Sequence, residues 1–280
     1  MIYADDYDNI TINPHKQKLF EDEAPKILRK YNLNVNEEKT DKTILRRQKH
    51  DKKNKTTNEP WRETIKLGSK LGDREDIQRR KNLSTGAMNK MDQILRRHRT
   101  VNVRKRLKLY NPIVRSVLMY NSCTWGMSGT DEKNIDSFHR RQLRRVLGVK
   151  YPTTMSNKAV YRLSKARPLS VEITKSRWKM FGHVLRMNEN SPARLAMKFY
   201  FKETDDKKFR GRKRTTIVTT INRDIERTRE KYPDFDIKPI NTELDLRNVR
   251  VKSTNRRHWQ KRVSMVTAAA YSAHTTTQER

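Results

Sequence analysis

Near its start the chain reads Tyr3-Ala4-Asp5-Asp6, two adjacent carboxylates between apolar stretches. Paired carboxylates on a tight turn suit magnesium, a hard ion that takes oxygen ligands and keeps positions open for phosphate oxygens. With two such ions the chemistry would be an in-line displacement at phosphorus. Asp5 is the candidate metal ligand and Asp6 its neighbour. An Asp-Asp pair is also an ordinary turn former, so the surroundings must decide. Other reactive types give less. His139, His183 and His258 with Cys123 could gather around zinc, but no pair has finger-like spacing, so a metal site is not expected there. No glycine-rich phosphate loop, hydrolase triad or protease motif is present.

The elements that hold these residues come from a very basic chain. Its 280 residues carry 65 Lys and Arg against 32 Asp and Glu, a formal charge of +33, with 33% hydrophobic residues. Soluble domains average about 45–50% apolar residues, so the core must be thin and the apolar residues confined to faces. Such a charge repels itself in a compact chain and is easiest to reconcile with a polyanionic partner. Nucleic acid is the leading candidate and an anionic membrane surface the second. No apolar run nears the roughly 18 residues of a membrane span, and acids stand where a secretion signal would carry bases. Cys123 is the only cysteine, which fits a reducing compartment, nucleus or cytoplasm.

Residues 1–12 read as a β-hairpin bent at Ala4-Asp5-Asp6, with Ile10-Thr11-Ile12 as its second strand. Residues 16–31 read as a helix interrupted by Pro25, and 33–36 as an exposed strand. The polar, basic run 42–58 is a flexible linker, and 61–71 a short strand-and-turn. From Gly72 to about residue 200 the pattern is helical: 76–95, then 102–120 with a kink at Pro112, then 130–147 ended by Gly148. A short helix capped by Ser156 follows, then 170–187, then one begun by Ser191-Pro192. Residues 203–216 form a basic loop in which Arg210 and Arg212 are candidate nucleic-acid contacts. Two weaker helices, 217–230 and 254–273, are separated by a proline-containing loop.

The helix from Thr130 to Leu147 carries the sharpest charge pattern. At 100° per residue Ile135, Phe138, Leu143, Val146 and Leu147 fall on one side, and Arg140, Arg141, Arg144 and Arg145 cluster within roughly 140° on the other. This is either a solvated face over a core or a stripe that grips phosphates through bidentate guanidinium contacts. The net charge favours the second. Trp178, with Phe181 and Leu185, reads as core; Trp259, set among Arg256, Arg257, Lys261 and Arg262, is either core or a platform for unpaired bases.

YADD at 3–6, LNVNEEKT at 33–40 and IKLGSKLGD at 65–73 together resemble the end of a reverse transcriptase palm. More narrowly they resemble the LINE-like, non-LTR retrotransposon reverse transcriptases. RLKLYNPIVRSVLMYNSCTW at 106–125, FHRRQLRRVLG at 138–148, RWKMFGHVLRM at 177–187, FRGRKRTT at 209–216 and RRHWQKRV at 256–263 continue the match in the family's order. The resemblance implies that Asp5 is a catalytic metal ligand, Asp6 its neighbour in a weaker or structural part, and Tyr3 a shaper of the turn near the primer end. It implies that Lys39 sits near the incoming nucleotide's phosphates, although as a residue it reads as a solvated strand-end lysine. Gly68 and Ser69 would belong to the primer-grip turn, where glycine admits close backbone approach. The helices after Gly72 would be the thumb.

The family's palm needs a further aspartate on an earlier strand, and fingers, for which no residues here match. The chain is therefore expected to be the C-terminal part of an RNA-directed DNA polymerase. By itself it would not polymerise and would hold no magnesium stably, though the intact parent uses Mg²⁺. Its partners would be RNA, DNA or RNA–DNA hybrid together with the missing palm and fingers, and no membrane. The alternatives are a non-enzymatic basic nucleic-acid-binding module or a non-functional translated fragment. The expected fold is mainly α with a small antiparallel β remnant, a truncated palm edge plus a helical thumb. It divides into 1–72 (palm remnant), 73–167 (thumb-like) and 168–280 (basic helical region).

Overall fold

Helix-forming periodicity with well-marked caps accounts for most of the chain, and the computed structural model is mainly α with small antiparallel β. It describes residues 13–37, 60–96, 101–204 and 215–278, with isolated positions at 2, 3, 6, 7, 9, 11, 40 and 43. Two compact units result, 1–61 and 62–280.

In the first unit β1 (Ile2–Tyr3) pairs antiparallel with β2 (Asp6–Tyr7), in the register Ile2↔Tyr7 and Tyr3↔Asp6. The hairpin is tighter than the sequence pattern suggests. Asp6 lies in the second strand instead of the bend, because the register leaves only two residues to connect the strands. α1 (Pro14–Arg29) begins at Asn13, whose side chain accepts from the His15 amide, with Pro14 at the first position. It runs through Pro25 unbroken, since one missing donor costs a single rung. Its end is set by Asn32 in the left-handed region (φ 57°), and 33–36 forms no strand. None of the residues of α1 is buried.

The second unit opens with the hairpin β3 (Ile65–Lys66) and β4 (Ser69–Lys70), followed by α2 (Asp73–Arg96). α3 (Val103–Tyr110) passes through a π-helical turn at Asn111–Arg115 into α4 (Ser116–Met119). This is the expected Pro112 irregularity: the proline ring lacks an N–H and crowds the preceding turn, and just after it the Ser116 amide bonds the Asn111 carbonyl five residues back. α5 (Gly129–Leu147) starts at a Ser128–Asp131 capping box and ends at left-handed Gly148. α6 (Asn157–Ser164), α7 (Leu169–Arg186), α8 (Pro192–Thr204) and α9 (Ile217–Lys231) follow. α10 (Glu243–Thr254) occupies part of the stretch that reads as a loop. Its signal is Thr242 with Asp245, a reciprocal cap, followed by Leu246 and Val249 on one face. α11 (Arg256–Gln278) closes the chain.

Three apolar clusters hold this unit. Met88, Met91, Tyr110, Val114, Leu143, Val146 and Val160 join α2, α3, α5 and α6. Ile77, Leu118, Trp125, Met127, Ile135, Phe138, Leu169 and Ile173 join α2, α4, α5 and α7. The third joins α7 to α9, α10 and α11 around stacked Trp178 and Trp259, whose ring centroids are 5.6 Å apart. Trp259 is thus core: its indole N–H donates to the Trp178 carbonyl at 3.1 Å. Gly182 makes room for it, since a Cβ there would fall 2.1 Å from the Trp259 Nε1. Among the described residues no helix is long and apolar enough to cross a membrane.

Candidate nucleic-acid interface

Of the residues singled out by chemistry, Asp5, Lys39, Arg210 and Arg212 lie outside the described residues. Tyr3 and Asp6 are register partners in β1–β2. Among the described residues no group of three or more His, Cys, Asp and Glu could hold a metal ion, so the magnesium reading rests on Asp5.

Gly68 and Ser69 are held very firmly. Leu67 (φ 47°) and Gly68 (φ 75°) form the two-residue turn between β3 and β4, both left-handed, as tight hairpins require. Leu67 is strained in that conformation, and its carbonyl is pinned by the Tyr120 hydroxyl at 2.9 Å. The Gly68 carbonyl accepts from Arg79 Nη1 at 2.6 Å and from Arg80, whose guanidinium also reaches Ser69 Oγ at 3.0 Å. Arg80 stacks on the Tyr120 ring at 4.3 Å. Asp76 ties the hairpin to α2, accepting from the Lys70 amide and from the Trp125 indole, each at 2.9 Å. Beside it Asp73 is pushed up to about 6 by burial, against the opposing pull of the Gly126 amide and Arg62.

The four α5 arginines do not act alike. All lie off the buried face, as the periodicity requires, but three have intramolecular partners. Arg140 Nη1 lies 3.5 Å from the Tyr161 hydroxyl. Arg144 donates to the Met155 carbonyl at 3.0 Å and to Asn157 Oδ1 at 2.8 Å. Arg145 pairs with Asp92 at 2.7 Å and donates to Asn89 at 3.0 Å. Arg141 is exposed and makes no ion pair with any described residue. Arg140 and Arg145 lie at the edges of the stripe, where α6 and α2 reach them; Arg144 is as central as Arg141 but is met by the returning segment at Met155 and Asn157.

A wider feature surrounds the stripe. From Ser137 to Val171 there is no acidic residue, while Arg140, Arg141, Arg144, Arg145, Lys150, Lys158, Arg162, Lys165 and Arg167 all fall inside. The acids at its N-terminal border are already engaged. Asp131 caps α5; Glu132 takes Arg223 at 2.7 Å and Arg227 at 3.4 Å. Asp136 is buried and accepts from the Ser170 amide and hydroxyl at 2.9 and 2.6 Å, with His274 Nε2 at 3.3 Å. Burial alone would raise the Asp136 carboxyl, but these hydrogen bonds outweigh it and hold it below the usual range. His139, one helical turn on, is fully buried and pushed down to about 4 by desolvation, so it adds no charge at neutral pH. Arg141, Lys150, Lys158, Arg162, Lys165 and Arg167 are left exposed without acid partners among the described residues. The α3 cations Arg104, Lys105 and Lys108 are also exposed, with no acid partner among the described residues. α3 is fixed to α5 by Arg106, which donates to the Val146 carbonyl at 2.7 Å.

An unneutralised cationic surface on a packed helical layer can bind phosphodiester backbone by displacing its counterions. Periodicity alone picks out the arginine stripe and misses the lysines of the following loop and helix. The absence of acids over 137–171 is the legible signal for them. No protein-family model, curated protein or solved structure matches the chain.

Proposed function

We propose that this chain supplies the nucleic-acid-binding helical part of a reverse transcriptase of the non-LTR retrotransposon kind, holding RNA or RNA–DNA hybrid by its backbone. The observation that carries the binding half of this reading is the acid-free run 137–171, whose exposed cations lack acid partners among the described residues. The polymerase half is carried by the ordered sequence resemblance, with Asp5 as the metal ligand, Asp6 as its neighbour in a weaker or structural part, and Mg²⁺ as the ion of the complete enzyme. Backbone recognition of this type has little sequence preference and weakens steeply with salt.

The test is fluorescence anisotropy of the full chain with an RNA hairpin and with an RNA–DNA hybrid, titrated from low to physiological salt. The expected result is binding to both, with a linear fall of log affinity against log salt that becomes shallower in the Arg141→Glu, Lys158→Glu, Arg162→Glu variant. Binding that ignores salt, or is unchanged in the triple variant, would refute the assignment.

A further inference from the structure

Tyr151 is the most exposed of the large hydrophobic side chains described, at 97%. It sits in the 148–156 connection between α5 and α6, inside the acid-free run. Both ends of that connection are anchored. The Gly148 and Val149 amides return to the Arg145 and Arg144 carbonyls at 3.1 and 3.0 Å. At the far end Met155 packs against the α2–α3–α5–α6 core, and Arg144 clasps its carbonyl. Between these anchors the Thr153 amide closes a turn on the Lys150 carbonyl at 2.8 Å, which puts Tyr151 and Pro152 at the two apex positions. Tyr151 has no hydrogen bond or ring contact with any described residue, whereas the Tyr110, Tyr120 and Tyr161 rings all touch neighbours. Lys150 precedes it and Lys158 lies in the first turn of α6, both exposed.

An aromatic ring held out on a braced turn among unpaired cations has the chemistry of a base-stacking platform: the cations hold the backbone and the ring takes the face of an unpaired base. A duplex offers no such face along its length, because its bases are already stacked. We infer that Tyr151 stacks on an unpaired base, so that the partner of this surface includes a single-stranded segment of RNA or DNA. The inference rests on the backbone-binding reading above and narrows it.

The test uses the full chain, a single-stranded RNA carrying 2-aminopurine and a blunt RNA duplex of equal length. Tyr151→Ala is expected to weaken single-strand binding about ten-fold, to leave duplex binding within about two-fold, and to abolish the 2-aminopurine quenching seen with the parent chain. Tyr151→Phe and Tyr151→Trp are expected to retain both. Because the side chain is almost wholly exposed, the melting temperature should not change. If the parent binds both RNAs and Tyr151→Ala binds them equally well, or loses both equally, stacking is refuted and the backbone reading stands. If the parent binds neither, both readings fall.

Discussion

Two basic stretches of the second unit use their charge in opposite ways. In 137–171 the exposed cations have no acid partner among the described residues. In 217–262 acids are interspersed and most arginines are spoken for: Arg223 and Arg227 by Glu132, Arg247 by Glu243, Arg250 by Glu189, and Arg262 with Lys252 by Asp236. Deeper still, Arg177 and Asp224, each only 1% exposed, pair at 2.9 Å, and Asp224 also accepts from the Trp178 indole at 3.1 Å. By composition both stretches are basic. Among the described residues, acid partners take up the charge of the second stretch and leave the exposed charge of the first unpaired.

The contrast breaks most visibly at the buried pair. Asp224→Ala leaves a guanidinium uncompensated in the core and should cost about 3–5 kcal/mol, read as a large fall in the urea midpoint. A loss below about 1 kcal/mol would mean that the pair is not buried as described. Next, Gly182→Ala should cost about 1–3 kcal/mol by overpacking, since the new methyl meets the Trp259 ring. A stability equal to the parent would place Trp259 outside the core.

In the cationic run the effect should move from stability to binding. The triple charge reversal at Arg141, Lys158 and Arg162 should shift unfolding free energy by less than about 0.5 kcal/mol per site. It should also lower the salt slope of RNA binding by about two, because each single-strand phosphate left unneutralised removes roughly 0.7 from that slope. Within the stripe, Arg145→Ala should cost at most about 1 kcal/mol of stability and leave RNA affinity nearly unchanged, while Arg141→Ala should do the reverse. Equal behaviour of the two would erase the distinction between a paired and an unpaired arginine.

The smallest effect is a pH dependence of opposite sign at two acids. Asp73 is raised by burial to about 6 from 3.8, so its folded form binds the proton more tightly. Stability from this group is present at low pH and is lost as pH climbs from about 4 through about 6. Asp236 is held at about 2 by Arg262 and Lys252, so its contribution is present above about 4 and is lost as pH falls through about 2. Asp73→Asn should therefore flatten the melting-temperature profile between pH 4 and 6, and Asp236→Asn the profile below 4. A profile unchanged by Asp73→Asn would show that its carboxyl is solvated.

Sequence pattern was sufficient where one local rule acted alone. The Ser156 cap, the Gly148 stop, the Pro112 irregularity, the apolar face of α5 and the burial of Trp178 follow from spacing, because caps and helical periodicity involve residues within one or two turns of each other; the start of α5 does not, since Ser128 caps it and not Thr130. α10 was equally local and legible in Thr242 and Asp245, but the nearby prolines masked it. Asp5, Lys39, Arg210 and Arg212 lie outside the described residues, and the resemblance alone speaks for them.

Other properties depended on residues far apart in the chain. Whether an arginine is free cannot be read from its helix: Arg145 is paired because Asp92 reaches it from α2, and Arg141 is not because no acid among the described residues does. Trp259 could have been a stacking platform until a missing Cβ at Gly182 drew it into the core. Charge and periodicity are properties of neighbours along the backbone and survive in the one-dimensional string. Pairing, burial and exposure are set by which distant side chains meet, and folding alone arranges that.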